Sequence, residues 1–169
     1  MSSEQNNTPD WIKTHNREKA EEKRQSNEIG QRQLEASLVI KDTGPEFWKQ
    51  LVDRVGVNVG ALPSLEGEEL AGSVSVTGTA GAELSCHIQV DRRSVRLGPE
   101  LSRMNLFYRP GESRIRRWYQ NREMGDIELV KYRNEVRAVI EGANPMTAQE
   151  LGDRTVEWMA ERVKARRSR

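Results

Sequence analysis

Residues 73–90 read SVSVTGTAGAELSCHIQV. Val74 and Val76 alternate with Ser73, Ser75 and Thr77, and then Leu84, Cys86, Ile88 and Val90 alternate with Ser85, His87 and Gln89. Successive strand side chains point to opposite faces of a sheet, so each run has one apolar and one polar face. Gly78 and Gly81 supply the turn between them, and the pair reads as an antiparallel hairpin.

The same pattern continues to Glu141. Asp91-Arg92-Arg93-Ser94 turns the chain into Val95–Leu97, Gly98-Pro99 breaks it, and Met104, Leu106 and Tyr108 resume the period of two. Pro110-Gly111 predicts a type II turn, because proline presets the first central residue and glycine tolerates the positive φ of the second. Arg114 to Gln120 pairs back on the preceding strand, Gly125-Asp126 introduces Ile127–Tyr132, and Arg133-Asn134-Glu135 leads into Val136–Ile140. The expectation is a meander of five or six antiparallel strands.

Helices flank it. Asp10 is placed to cap a polar helix reaching Ile40; Lys13 to Glu28 carry no apolar stripe, and Leu34, Leu38 and Val39 would dock its later turns. Thr43-Gly44-Pro45-Glu46 matches a capping box, predicting a second helix with Phe47, Trp48, Leu51, Val52 and Val55 on one stripe and Gly56 at its end. Val57 to Gly72 reads as a loop with a short strand at Val57–Val59. Thr147-Ala148-Gln149-Glu150 is another capping box, opening a helix with Leu151, Thr155, Trp158, Met159 and Val163 on one side and a basic end. The fold class is therefore α+β, with the amino-terminal and carboxy-terminal helices on one face of the sheet. Residues 1–42 form a polar helical or partly disordered arm, with a frayed tail before Asp10, and residues 43–169 form a single domain.

The 169 residues carry a formal net charge of +1. Residues 91–122 nevertheless hold nine arginines and no lysine against Asp91, Glu100 and Glu112, so any pull on polyanions is local. A single cysteine excludes an internal disulfide and fits a reducing cytoplasm. No apolar run approaches the ~20 residues of a spanning helix, and no secretory signal is legible at the amino terminus, so no membrane partner is expected.

The sequence carries no legible catalytic set. Cys86 and His87 are strand neighbours and point to opposite faces, which separates thiol from base; a buried cysteine and an exposed histidine are expected. His15 and His87 have no spacing that suggests a metal site, the loop acids Glu66, Glu68 and Glu69 read as solvated, and the glycine stretches lack a phosphate-loop context. No cofactor, metal or catalytic residue is assigned.

The arginine-rich strands remain, with Phe107, Tyr108, Trp118 and Tyr119 interleaved. Parity puts Arg114, Arg116 and Trp118 on one face of their strand and Ile115, Arg117 and Tyr119 on the other. With Ile115 and Tyr119 inward, one arginine also points inward and needs a partner, for which Glu128 is the candidate. Arg109, Arg114, Arg116 and Trp118 are the candidate binding residues. The expectation is a non-enzymatic binding or protein-interaction protein that uses an uncovered sheet face, through homo-oligomerisation or another protein partner. Anion or single-stranded nucleic-acid binding through the arginines is the alternative, and a small-molecule pocket or enzyme between sheet and helices is the second.

Overall fold

The structure is a computed structural model that describes residues 8–79, 81–93 and 100–165. The expected Val95–Leu97 strand, the Gly98-Pro99 break and the basic residues beyond Ala165 lie outside the described residues. Helix α1 (Asp10–Ala61) is followed by a short 3-10 turn (Leu62–Ser64), six strands and helix α2 (Ala148–Ala165). The strands are β1 (Leu70–Thr77), β2 (Leu84–Arg92), β3 (Glu100–Tyr108), β4 (Arg114–Tyr119), β5 (Arg122–Tyr132) and β6 (Glu135–Val139). They form one antiparallel meander in the order β1-β2-β3-β4-β5-β6, and the fold is α+β. The chain divides into two units, one running to Ala36 and one from Ser37 onward.

The first unit is helical from Asp10. Pro9 O accepts from the N–H groups of Ile12 and Lys13, while Asp10 lies inside the helix beside Lys13 rather than capping it. Its surface carries short-range ion pairs, Lys19 with Glu22 and Arg24 with both Glu21 and Glu28, as helical neighbours three and four apart permit. Trp11, Ile29 and Leu34 are exposed.

In the second unit the capping box at Thr43 does not form. The Thr43 hydroxyl donates to Val39 O at 2.6 Å, and the helix continues through Pro45. Gly56 does not end it either, and Val57 is helical and exposed rather than in a strand. The reason is the apolar stripe: Ile40, Gly44, Phe47, Trp48, Leu51, Val55 and Val59 are all buried, a helical spacing that spans the proline and both expected boundaries. Leu38 stays exposed.

The stripe packs on one sheet face made by Cys86, Ile88, Val90, Met104, Leu106, Tyr108, Ile115, Ile127 and Leu129. Trp48 stacks on Tyr108 with ring centroids 5.5 Å apart. On α2, Leu151, Thr155, Met159 and Val163 are buried, and Trp158 meets Tyr119 edge to face at 4.8 Å. Both helices therefore cover the same face. The capping box of α2 is reciprocal: Thr147 N donates to Glu150 Oε2 at 2.8 Å and Glu150 N to Thr147 Oγ1 at 3.1 Å.

The turn chemistry is mixed. Gly111 has φ 93° and Glu112 N donates to Arg109 O at 3.0 Å, as the type II turn requires. The β4–β5 turn sits instead on Gln120 and Asn121, with φ of 49° and 64°. Gly125-Asp126 lies inside β5, which begins at Arg122, opposite a register shift between Ile115 and Arg117.

Candidate functional site

The face that no described helix covers is built by the second parity of each strand. Register places Ser75, His87, Asn105, Trp118 and Glu123 in one row across β1 to β5. Thr77, Ser85, Phe107 and Arg116 form the adjacent row across β1 to β4. Three of the candidate residues, Arg114, Arg116 and Trp118, thus stand at alternate positions on one strand face. Arg109 is not among them: it lies at the start of the β3–β4 turn and, among the described residues, is joined to Arg114 through Glu112, 3.9 Å from each guanidinium.

Arg114 and Arg116 are paired with acidic side chains at this face. Arg116 forms an ion pair with Glu83, and its guanidinium lies 5.5 Å from the centroid of the Phe107 ring. Arg114 also reaches Asp126 at 3.6 Å. Ion pairs this exposed contribute little to stability, but they balance the charge of the face locally. Trp118 is half-buried between its neighbours.

Sequence reasoning missed a polar row beside them. The Thr77 hydroxyl is hydrogen-bonded to Ser85 Oγ, Ser85 Oγ lies 3.2 Å from His87 Nε2, and His87 Nδ1 lies 2.7 Å from Asn105 Oδ1. Since the Asn105 oxygen accepts, the proton belongs on Nδ1 and Nε2 accepts from Ser85. His87 is accordingly half-buried and partnered rather than freely exposed. The signal was in the pattern of Ser85, His87 and Thr77 on one face, once the β1–β2 register was known.

A hydroxyl, an imidazole and an amide in this order are the parts of a nucleophilic triad. The setting does not support that chemistry. β2 is paired on both sides, by β1 and β3, so its backbone N–H groups are committed to the ladder and leave no oxyanion donors at Ser85. The row is a cross-strand hydrogen-bond ladder, which orders the face.

Cys86 faces the opposite way and is fully buried; burial pushes its thiol up to about 12, so it is neutral and unreactive at neutral pH. Arg117 is the arginine that parity sends inward. Glu128 does not meet it: Glu128 lies opposite Arg114 on the open face, and Arg117 Nε instead donates to Gly125 O at 2.7 Å. Among the described residues no group of three or more His, Cys, Asp or Glu side chains is arranged to hold a metal ion, and no helix is long and apolar enough to cross a membrane.

Fold and face together define an α+β protein with a one-sided antiparallel meander and an aromatic-bearing open sheet face. No family model matches the chain, and neither the curated proteins nor the solved structures contain a match.

Proposed function

We propose that this chain is a non-enzymatic interaction protein whose open sheet face pairs with the same face of a second copy. The observation that carries this reading is the pairing of Arg116 with Glu83 and of Arg114 with Asp126 around the half-buried Phe107 and Trp118. With Arg114 and Arg116 matched by acidic neighbours, this part of the face has little net field for a polyanion, and interleaved charges of both signs suit a two-fold interface, where one patch must complement itself. Aromatic and arginine side chains are the usual energetic anchors of such contacts. The buried lone cysteine agrees with a reducing, cytoplasmic setting.

Light scattering coupled to size exclusion tests the reading across a range of protein concentrations. The wild type should rise toward the mass of a dimer. Trp118→Ala should weaken that association by about 2 kcal/mol or more, as central aromatic anchors do. Arg116→Glu, which sets like charges beside Glu83, should weaken it as well. A monomer at every concentration would exclude self-association, and steeply salt-dependent retention on a single-stranded oligonucleotide would favour the polyanion reading through Arg109, Arg114 and Arg116.

A further inference from the structure

On the covered side, between the sheet and α2, lies a cavity of about 210 Å³. Its apolar lining includes Met104 of β3, Met124 of β5 and Trp158 of α2, and its charged lining is Arg117, Arg154 and Glu141. Trp158 is held from outside the cavity by Tyr119 at 4.8 Å and by the Arg162 guanidinium at 4.5 Å, which fixes the ring in place. Methionines adapt to the shape of an apolar guest.

Arg117 reaches this cavity because it shares the inward parity of Ile115 on β4. It stands opposite Leu106 and Met124 on the covered face, and its Nε is taken by Gly125 O. Gly125 lies beside the guanidinium, and a Cβ built there would lie at an ordinary contact distance, 3.9 Å, from an Nη atom of Arg117. Among the described residues neither Arg117 nor Arg154 forms an ion pair, and the polar contact made by Arg154 is a weak one to Met146 Sδ at 3.8 Å. Two cations therefore line the cavity against one carboxylate. Burial pushes the Arg117 guanidinium down from its ordinary value, with the charge of Asp126 opposing. A half-buried cation without a carboxylate partner costs the fold stability that a bound anion would return.

We propose that this cavity binds a small organic monocarboxylate, with its carboxylate on the free Nη groups of Arg117, Arg154 beside it, and its hydrocarbon body against Met104, Met124 and Trp158. The planar fork of a guanidinium fits the two oxygens of a carboxylate. A dianion such as phosphate is disfavoured by Glu141 on the wall and Asp126 nearby. The volume is below the ~300–1,000 Å³ of typical small-molecule sites, so the guest is compact, a short fatty acid or a single aromatic ring with one carboxylate. The proposal is independent of the open-face interface.

Calorimetric titration of the full chain with hexanoate, benzoate, inorganic phosphate and hexylamine tests it. At least one of the two carboxylates should bind saturably at one site per chain, while phosphate and hexylamine should not. Arg117→Met should lower that affinity by about tenfold or more, the scale of one charge-assisted bidentate contact. It should also melt at or above the wild-type temperature, because it replaces an unpaired half-buried charge with an apolar side chain of similar length. If Arg117→Met does not fold, Arg154→Glu at the exposed edge of the cavity serves instead and should weaken binding severalfold. The proposal is overturned if neither carboxylate binds, if phosphate or hexylamine binds equally well, or if the folded variants bind as the wild type does.

Discussion

Asp153 shows how a single carboxylate ties the two helices of the body together. Its Oδ1 accepts from Arg54 Nε at 2.5 Å and from Asn58 Nδ2 at 2.7 Å, and its Oδ2 accepts from an Arg54 Nη at 3.1 Å. Arg54 and Asn58 are four apart on α1, one above the other, which is the spacing that lets both reach one acceptor. The preceding Gly152 allows the approach: a Cβ there would lie 2.9 Å from Arg54 Cγ. Hydrogen bonds from Arg54, then Asn58, hold the Asp153 carboxyl below its ordinary value of 3.8. Because the folded-state pKa is the lower one, the ionised carboxylate stabilises the fold above that ordinary value, and the contribution fades as the pH falls through the depressed pKa. Both partners are substantially solvent-exposed, so the effect is small and weakens with salt. Denaturant titrations of wild type and Asp153→Asn from neutral to strongly acidic pH should show a stability gap that closes as Asp153 protonates. A gap of constant size at every pH would falsify the assignment.

At the scale of elements, α1 carries two glycines with opposite meanings. Gly44 is buried, and a methyl group there would overlap the hydroxyl of Tyr108, itself fully buried and stacked on Trp48. Gly56 is exposed, with nothing within 4 Å of the position a Cβ would take. Gly44→Ala should therefore destabilise by about 1–3 kcal/mol through overpacking. Gly56→Ala should stabilise by about 0.5–1 kcal/mol, since alanine loses less backbone freedom in a helix. Thermal or urea unfolding of the two variants checks both signs, and a stabilising Gly44→Ala would mean that the Tyr108 contact gives way easily. The same helix marks the limit of what local pattern revealed. Thr43-Gly44-Pro45-Glu46 has every local feature of a helix start, yet a stripe buried from Ile40 to Val59 carries the helix across it, and the ~3 kcal/mol disfavour of an interior proline is outweighed by packing. Alternation and the Pro110-Gly111 turn were legible because they depend on adjacent residues, as was the reciprocal cap of α2. The Gln120-Asn121 turn and the bulge beside Arg117 depend on strand register, which no single strand encodes. For the candidate residues, parity alone put Arg114, Arg116 and Trp118 on one face, but their partners Glu83 and Asp126 come from other segments and only pairing brings them close.

At the scale of the whole molecule, the two sheet edges are treated differently, and this bears on how copies meet. The β6 edge is partly closed by Met146, which exchanges two backbone hydrogen bonds of 2.8 Å with Ala138. The β1 edge, Leu70–Thr77, has no pairing partner beyond β2 among the described residues, and its eight residues include no charge and no proline. Such an edge lacks the devices that usually block strand addition, and Val76 is 51% exposed on it. Edge pairing is thus the route that would compete with the proposed face pairing when chains crowd together. Val76→Lys places a charge on that edge at a position where a long side chain reaches water, so stability should change by no more than about 0.5 kcal/mol. Turbidity on heating should fall relative to wild type, while the light-scattering mass of the dilute folded protein should stay the same, because the open face around Trp118 is untouched. If Val76→Lys abolishes association and Trp118→Ala does not, copies join strand to strand through β1, and the aromatic face is left for a different partner.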